Sequence, residues 1–246
     1  MELPVYFISD LHLMLKLTPA EKIRRQKLFR FFEHVRSTGG TLFINGDIFD
    51  FYFEYKQLIP KMYFDFYYQI NKLKESGVEI HFMLGNHDYW VLDFVTEQLS
   101  TKTYFDDLSL EIEGKHFFIT HGDGYLSWDS GYRLLRFVIR SRLFIWIYRW
   151  IHPRIGYGFA QWVSKKGEHY QHSEEYDRRV QAEMEKHART KLSKNYDFFI
   201  TGHYHQALEF QIDHGKLFIL GDWLRCFTYA EFDGRNMALK YWEKDG

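Results

Sequence analysis

Short apolar runs recur along the chain, and each is about as long as one β-strand. They are rich in β-branched and aromatic residues, which strands favour. Between the early runs lie two segments with apolar residues at helical spacing. One spans 19–36 and starts behind Thr18, a good N-cap, and the other spans 60–76 and stops at Gly77. The apolar runs occupy 5–9, 41–45, 79–84, 116–120, 197–201 and 217–221.

This alternation of strand and helix predicts an α/β layered fold. From Ala207 onward the pattern changes, because four strand-like segments follow one another: LEFQID, LFILG, FTYAEF and MALKYW. The chain has only four prolines and no linker-like tract, and its 246 residues suit one large domain. We therefore predict a single domain over 1–246 with one insertion over about 123–196.

Composition and charge narrow the class of protein. The net charge of −1 is not basic enough overall for a nucleic-acid partner. A single cysteine, Cys226, excludes an internal disulfide and fits a reducing compartment. The start, MELPVYFISD, lacks the features of a signal peptide, and no run of about 18 apolar residues occurs. We therefore expect a cytoplasmic protein without a transmembrane segment.

Five short polar motifs each follow an apolar run. Ligands of open α/β sheets bind beyond the carboxyl ends of the strands, so we expect the motifs to converge at one edge. Taken alone, each motif would often be a helix cap or a surface histidine, but five in series are hard to explain that way. The motifs are Asp10-Leu11-His12, Gly46-Asp47-Ile48-Phe49-Asp50, Gly85-Asn86-His87-Asp88, His121-Gly122-Asp123 and Gly202-His203-Tyr204-His205.

The side chains in these motifs predict a metal centre. They offer oxygen and imidazole ligands but no thiolate, a set that suits Mn, Fe, Zn, Co or Ni better than structural zinc. There are too many ligands for one ion and about enough for two that share a carboxylate. Two ions about 3.5–4 Å apart can hold a hydroxide and support in-line displacement at phosphorus. The candidate ligands are Asp10, His12, Asp47, Asn86, His121, His203 and His205.

The five motifs resemble the calcineurin-like metallophosphoesterase superfamily, whose pattern is DxH, GDxxD, GNH[DE], a later histidine and GHxH. The resemblance implies a four-layer α/β/β/α sandwich with a dinuclear site at the sheet edge. It implies that His87 acts on the substrate phosphate and that Asp88 orients His87 by a hydrogen bond, while Asp50 and Asp123 support the site. One ion would be held by Asp10, His12, Asp47 and His205, and the other by Asp47, Asn86, His121 and His203.

The predicted insertion has an unusual composition. Tyr125 to Trp162 contains eleven aromatic residues, and Ser130 to Gly167 contains eight Lys or Arg and no acidic residue. This pattern predicts helical hairpins with an apolar side and a basic edge. Such a surface suits an anionic bilayer, or acyl chains and a phosphate. The alternative is a helical cap packed on the sandwich, with its arginines in water.

Local segments also resemble the UDP-2,3-diacylglucosamine hydrolases of lipid A synthesis: GDIFDFYFEY (46–55), HGDGYLSWDSGYRLLR (121–136) and SKKGEHY (164–170). The resemblance implies a helical lid that holds acyl chains, and cleavage of UDP-2,3-diacylglucosamine to UMP and 2,3-diacylglucosamine 1-phosphate. The best-known branch of these hydrolases has Arg where this chain has His87. By position, the implied substrate-binding residues are Asn86, His87, Asp129, Tyr132, Arg136, Ser164, Lys165 and Lys166.

We therefore expect an enzyme with two divalent ions, manganese before iron or zinc, and a nucleotide-activated glycolipid as substrate. It would contact the anionic cytoplasmic face of the inner membrane peripherally. Two alternatives stay open at this point. The chain could be another phosphodiesterase, nucleotidase or phosphatase of the superfamily, or a non-catalytic scaffold that binds a membrane protein. Retention of every metal ligand argues against the scaffold.

Overall fold

The computed structural model describes residues 1–159 and 173–243. Two β-sheets form the centre of the molecule. The first has the strand order β11-β10-β1-β2-β3-β4 and the second the order β5-β6-β7-β9-β8. The strands are β1 (Val5–Ile8), β2 (Thr41–Asn45), β3 (Glu79–Met83), β4 (Lys102–Tyr104), β5 (Leu108–Ile112), β6 (Lys115–Thr120), β7 (Phe198–Thr201), β8 (Ala207–Ile212), β9 (Gly215–Leu220), β10 (Thr228–Phe232) and β11 (Met237–Tyr241).

Helices cover both outer faces of the sheet pair and also form the insertion. The chain adds a 3₁₀ turn at Lys61–Tyr63, a π-helical turn at Phe94–Leu99 and a further helical stretch at 153–159. The α-helices are α1 (Pro19–Thr38), α2 (Phe64–Glu75), α3 (Ser130–Ile139), α4 (Arg142–Arg149) and α5 (Glu174–Leu192).

Apolar side chains of the two sheets pack directly against each other. Phe7 of β1 stacks on Phe43 of β2 at a centroid distance of 5.1 Å and on Phe117 of β6 at 6.0 Å. All three rings are essentially buried. On the outer faces, Phe31 and Phe66 bring α1 and α2 onto the first sheet, while Val180, Met184, Ala188 and Leu192 bring α5 onto the second. The order is helix, sheet, sheet, helix, which confirms the predicted four-layer α/β/β/α sandwich.

The parallel pairings bring the motif-bearing loops to one edge. Strands β1, β2 and β3 are parallel neighbours, and so are β6, β7 and β9. The two sheets also meet by a hydrogen bond at this edge, where Asn45 Nδ2 donates to the carbonyl oxygen of Thr120 at 2.9 Å. The end of β2 is therefore fixed beside the end of β6, and the metal motifs of both sheets are brought together.

The elements predicted from the apolar pattern are present with small shifts. Thr18 caps α1 as predicted, since its Oγ1 accepts from the Glu21 amide at 3.2 Å. The predicted helix over 60–76 is split into the 3₁₀ turn and α2. Strands β4 and β5 were not predicted, because both are short, carry charged or serine residues and are partly exposed.

The predicted insertion over about 123–196 divides into two parts with different roles. Its last helix, α5, belongs to the outer layer of the sandwich, because four of its side chains are buried on the second sheet. In contrast, α3 buries no residue completely. Hydrogen bonds anchor the projecting part to the sandwich. Among them, Trp90 Nε1 donates to Ile139 O at 2.8 Å, and the Tyr157 hydroxyl donates to Phe53 O at 2.7 Å. We call residues 130–159 the lid.

Among the described residues, no helix is both long and apolar enough to cross a bilayer. Three predicted substrate-binding residues, Ser164, Lys165 and Lys166, lie outside the described residues.

Candidate metal centre

The loops after the strands have a strained backbone at the predicted ligands. Non-glycine residues seldom adopt positive φ, and such strain persists only where the surroundings enforce it. Here it is enforced by hydrogen bonds between the loops, such as His12 N to Asp47 O at 2.9 Å. Five of the seven predicted ligands have positive φ: Asp10 (54°), His12 (40°), Asp47 (52°), His203 (69°) and His205 (55°).

Two glycines allow the backbone to approach the ligands closely. A Cβ atom at Gly85 would collide with the carboxylate and the amide of Asp47. A Cβ atom at Gly46, where φ is +86°, would collide with the imidazole ring of His121. The glycines of these motifs therefore position Asp47 and His121 by leaving room for them.

One group of donor atoms surrounds Asp10. The Nε2 atom of His12 lies 3.6 Å from Asp10 Oδ1, and the Nε2 atom of His205 lies 3.7 Å from the same oxygen. Asp47 Oδ2 is 3.7 Å from His12 Nε2. Asp10 Oδ1 and His12 Nε2 are buried without a hydrogen-bond partner among the described residues. Buried polar atoms need a partner, and a divalent cation would provide one, so this donor set fits a metal ion.

A second group lies on the other side of Asp47. The Nε2 atom of His121 is 3.3 Å from Asp47 Oδ2 and 3.3 Å from Asn86 Oδ1. His203 completes the group, since one donor atom each of Asp47, His121 and His203 lie within 4.8 Å of one another. Asp47 therefore faces both groups. The structure brings all seven predicted ligands close together, in two groups of donor atoms that share Asp47.

His87 lies beside both groups. One donor atom each of His87, His12 and Asp47 lie within 4.8 Å of one another. The Nδ1 atom of His87 donates to the carbonyl oxygen of Asp50 at 2.6 Å, which assigns the other ring nitrogen, Nε2, to interactions at the centre. Burial alone would lower the pKa of His87, but the negative charge of Asp47 and the Asp50 carbonyl raise it.

The predicted hydrogen bond from Asp88 to His87 is not formed. The carboxylate of Asp88 instead accepts from two backbone amides, Gly85 N at 2.8 Å and Ile48 N at 2.6 Å. Side chains of adjacent residues in this tight loop point in different directions, and the Asp50 carbonyl holds His87 in place of Asp88. Asp88 therefore ties the loop after β3 to the loop after β2. Burial is the main reason that the pKa of Asp88 is raised to about 6.

Two of the predicted histidine ligands have an oxygen partner at Nδ1, the ring nitrogen that faces away from the centre. The sequence did not reveal these partners. His121 Nδ1 lies 2.8 Å from the carbonyl oxygen of Asn45, and His205 Nδ1 lies 3.1 Å from Asp222 Oδ2. Such partners fix the ring and the tautomer of a metal-binding histidine. The signal for Asp222 is its position directly after the apolar run of β9, like the aspartates after β1 and β2.

The charges of the centre depend strongly on each other. Burial lowers the pKa of His121, but the adjacent Asp47 outweighs burial and raises it to about 10. Burial and the charge of His121 lower the pKa of His203 to about 4. The pKa of Asp47 is well below its usual range despite burial, because the surrounding histidines favour its anion. These shifts favour a proton on His121 beside the Asp47 anion, and a bound cation would replace that proton.

Three residues predicted to bind substrate, two in the lid and Asp129 just before it, have distinct positions at the rim of this centre. Asp129 caps α3, since its Oδ1 accepts from Tyr132 N at 3.0 Å. The ring of Tyr132 lies 5.9 Å from the ring of His203. Arg136 Nε donates to Asp123 Oδ2 at 2.6 Å. Tyr132 and Arg136 therefore lie near the centre, while the Asp129 carboxylate already serves the helix.

Comparison with known proteins identifies the class. The model of the calcineurin-like phosphoesterase family matches residues 3–207. The chain therefore belongs to this family and is a metal-dependent hydrolase.

Individual relatives carry a more specific name. The UDP-2,3-diacylglucosamine hydrolase of Porphyromonas gingivalis is 29% identical over 260 residues, covering 97% of both chains. The enzyme of that name from Haemophilus ducreyi is 24% identical over 226 residues, covering 89% of this chain and 91% of the relative. Among solved structures, an archaeal phosphodiesterase aligns over 97% of this chain and 99% of its own, with 16% identity and a TM-score of 0.44.

Proposed function

We propose that this protein hydrolyses the diphosphate bond of UDP-2,3-diacylglucosamine, giving UMP and 2,3-diacylglucosamine 1-phosphate. The observation that carries the proposal is the similarity to the P. gingivalis hydrolase over 97% of both chains, lid segment included. The lid supports it, because its apolar helices lie beside a centre whose donors suit two divalent ions. Manganese is the ion we expect first, and iron or zinc are the alternatives.

The residues of the chain have separate tasks in this reaction. Bound ions would activate a water molecule and neutralise charge on the phosphate. Asp10, His12, Asp47 and His205 would hold one ion, and Asp47, Asn86, His121 and His203 the other. His87 has a raised pKa and a fixed ring, so it can donate a hydrogen bond or a proton to a phosphate oxygen from outside the ligand set.

The lid supplies apolar surface for the acyl chains and for a bilayer. Its outer face is strongly exposed, as shown by Phe137 at 75% and Trp150 at 77% of their full areas. Each methylene that leaves water contributes about 0.8 kcal/mol, so acyl chains add substantially to binding. Exposed apolar surface of this extent marks an interaction site. Other exposed apolar residues of the lid are Leu134, Leu135, Val138, Leu143, Trp146, Ile147, Ile155 and Phe159.

We also propose that this outer face lies on an anionic membrane surface. The lid contains no acidic residue and several arginines, among them Arg142 and Arg149 at the two ends of α4. Basic residues beside exposed aromatic rings are typical of helices that lie in the interface of a bilayer. The enzyme would thus reach a glycolipid at the cytoplasmic face of the inner membrane without crossing it.

A substrate comparison tests the proposed function. The metal-loaded protein is given three substrates: UDP-2,3-diacylglucosamine, UDP-N-acetylglucosamine, which lacks the long acyl chains, and bis(p-nitrophenyl) phosphate. The released products are measured. We expect UMP from the acylated substrate at a kcat/KM far above that for the other two. His121→Ala should abolish this activity, whereas His214→Ala, in the hairpin between β8 and β9, should retain it. Preference for bis(p-nitrophenyl) phosphate over the lipid would reject the proposal in favour of another phosphodiesterase.

A further inference from the structure

Arg140, at the C-terminal end of α3, joins the lid to two of the metal-bearing loops. Its Nη2 atom donates to Asp123 Oδ2 at 2.7 Å and approaches Gly85 O at 3.4 Å. Its guanidinium lies 4.2 Å from the centroid of the Tyr89 ring. Only 11% of the side chain is exposed. Arg140 is thus held at the rim of the centre, between the loop that carries His121 and the loop that carries Asn86.

Two guanidinium groups share one carboxylate at the rim. Asp123 Oδ2 accepts from both Arg140 and Arg136, the latter at 2.6 Å. One carboxylate balances only one guanidinium, so this group of three has a net charge of +1. A partly buried excess charge is costly unless an anion offsets it. The group therefore favours an anion at the rim, where the substrate must enter.

Two hydrogen-bond donors at the rim are still available. Arg140 Nε and the Tyr132 hydroxyl are buried and have no hydrogen-bond partner among the described residues. The Tyr132 ring lies 5.9 Å from that of His203, one of the predicted ligands, so its hydroxyl is near the centre. Guanidinium and hydroxyl donors are well suited to phosphate oxygens.

We propose that Arg140, together with Tyr132, binds the second phosphate group of the substrate, the one that is not attacked at the metal centre. This deepens the proposed function and rests on it. A phosphate in this position would satisfy both buried donors and balance the excess charge of the two arginines. Arg140 is then a specificity-determining residue, because a monophosphate held at the centre has no group to reach it.

Inhibition by UDP and UMP tests this subsite directly. Both are measured against bis(p-nitrophenyl) phosphate hydrolysis with excess free metal, since they differ by one phosphate. We expect UDP to inhibit the native enzyme more strongly than UMP. Arg140→Met should weaken inhibition by UDP about 10- to 100-fold and should change inhibition by UMP little. Arg133→Met, at an exposed position on the same helix, should leave both unchanged. Equal losses for UDP and UMP in Arg140→Met would overturn the proposal.

A second pair of variants separates binding from a purely structural ion pair. If Arg140 only anchors the lid through Asp123, then Asp123→Asn should weaken inhibition by UDP as much as Arg140→Met does. If Arg140 binds phosphate, Asp123→Asn should weaken inhibition by UDP much less than Arg140→Met does, because the guanidinium is still present. Arg140→Lys should then retain part of the inhibition that Arg140→Met loses. Melting temperatures of all variants check that the fold is intact.

The inhibition assay does not require the lipid substrate. Failure of the proposed function would appear as no turnover of UDP-2,3-diacylglucosamine by the native enzyme. Failure of the subsite would appear as an unchanged ratio of the inhibition constants for UDP and UMP in Arg140→Met, whichever phosphoester the native enzyme cleaves. The two results are therefore distinguishable.

Discussion

Asp222 Oδ2 lies 3.1 Å from His205 Nδ1, and the aspartate has no exposed side-chain surface. Its other oxygen, Oδ1, accepts from three consecutive amides, Leu224 N, Arg225 N and Cys226 N. Burial would raise the pKa of Asp222, but His205 and these amides lower it to about 2. Asp222 is therefore a fixed anion that orients His205 from outside the centre.

Replacing Asp222 should weaken metal binding without removing a ligand. We expect Asp222→Asn to lower the affinity for the divalent ion about 10- to 100-fold, because the ring of His205 loses its anionic partner. Metal content after dialysis, measured by inductively coupled plasma mass spectrometry, gives the readout. Asp213→Asn is the control, since the Asp213 side chain is 64% exposed in the hairpin between β8 and β9. Equal metal content in both variants would show that Asp222 has no such role.

Metal uptake at neutral pH should release protons. In the metal-free protein Asp47 outweighs burial and raises the pKa of His121 to about 10, so this histidine is protonated at pH 7. A metal ion binds the neutral imidazole and must displace that proton. His203 has a pKa of about 4 and contributes no proton at this pH.

Calorimetric titration with metal in buffers of different ionisation enthalpy counts these protons. We expect metal binding at pH 7 to release at least one proton per protein molecule, and one fewer in His121→Asn. Release should decline as the pH rises through about 10, because His121 is then already neutral. A binding enthalpy that is the same in every buffer would contradict the protonated state of His121.

The contact between the two sheets should dominate stability. Phe117 is completely buried and lies against Phe7 and against Phe232, the latter at 5.1 Å. Phe117→Ala should lower the free energy of unfolding by about 3–5 kcal/mol, because it removes a ring from the inter-sheet core. Urea denaturation measures the change. Phe105→Ala, at a 41% exposed position, should lower the free energy of unfolding much less. Similar losses in the two variants would be inconsistent with this packing.

The sequence could indicate which side chains lie together at the candidate centre because the relevant information is local. Each ligand follows an apolar strand within a few residues, and parallel strands bring their carboxyl ends to one edge. Asp222 was missed because no second polar motif residue accompanies it. Its role depends on the pairing of β9 with β7, which joins residues far apart in the chain.

The lid illustrates what a pattern of residues cannot provide. Its apolar and basic character was visible, but the pairing of Arg140 with Asp123 depends on how α3 is angled over the centre. The predicted link between Asp88 and His87 was wrong because adjacency in sequence does not set side-chain direction in a tight loop. Likewise α5 has a buried face that assigns it to the sandwich rather than to the lid.

The exposed face of the lid should bind anionic membranes. Phe137 and Trp150 are 75% and 77% exposed, and insertion of both rings into the interface would remove a large apolar area from water. Arginines near the surface each add about 1 kcal/mol of attraction to anionic lipids. We expect the native protein to float with phosphatidylglycerol-containing liposomes at low salt and to be released partly at high salt.

Aspartate substitutions identify the face that makes this contact. Phe137→Asp and Trp150→Asp should each reduce flotation several-fold, because each places a negative charge where an apolar ring would enter the bilayer. The control is Phe64→Asp, which alters an equally exposed ring (70%) on α2, part of the opposite outer layer. It should float like the native protein. Turnover of bis(p-nitrophenyl) phosphate should be unchanged in all three, which shows that the centre is intact. Loss of flotation in Phe64→Asp alone would assign membrane contact to α2 and not to the lid.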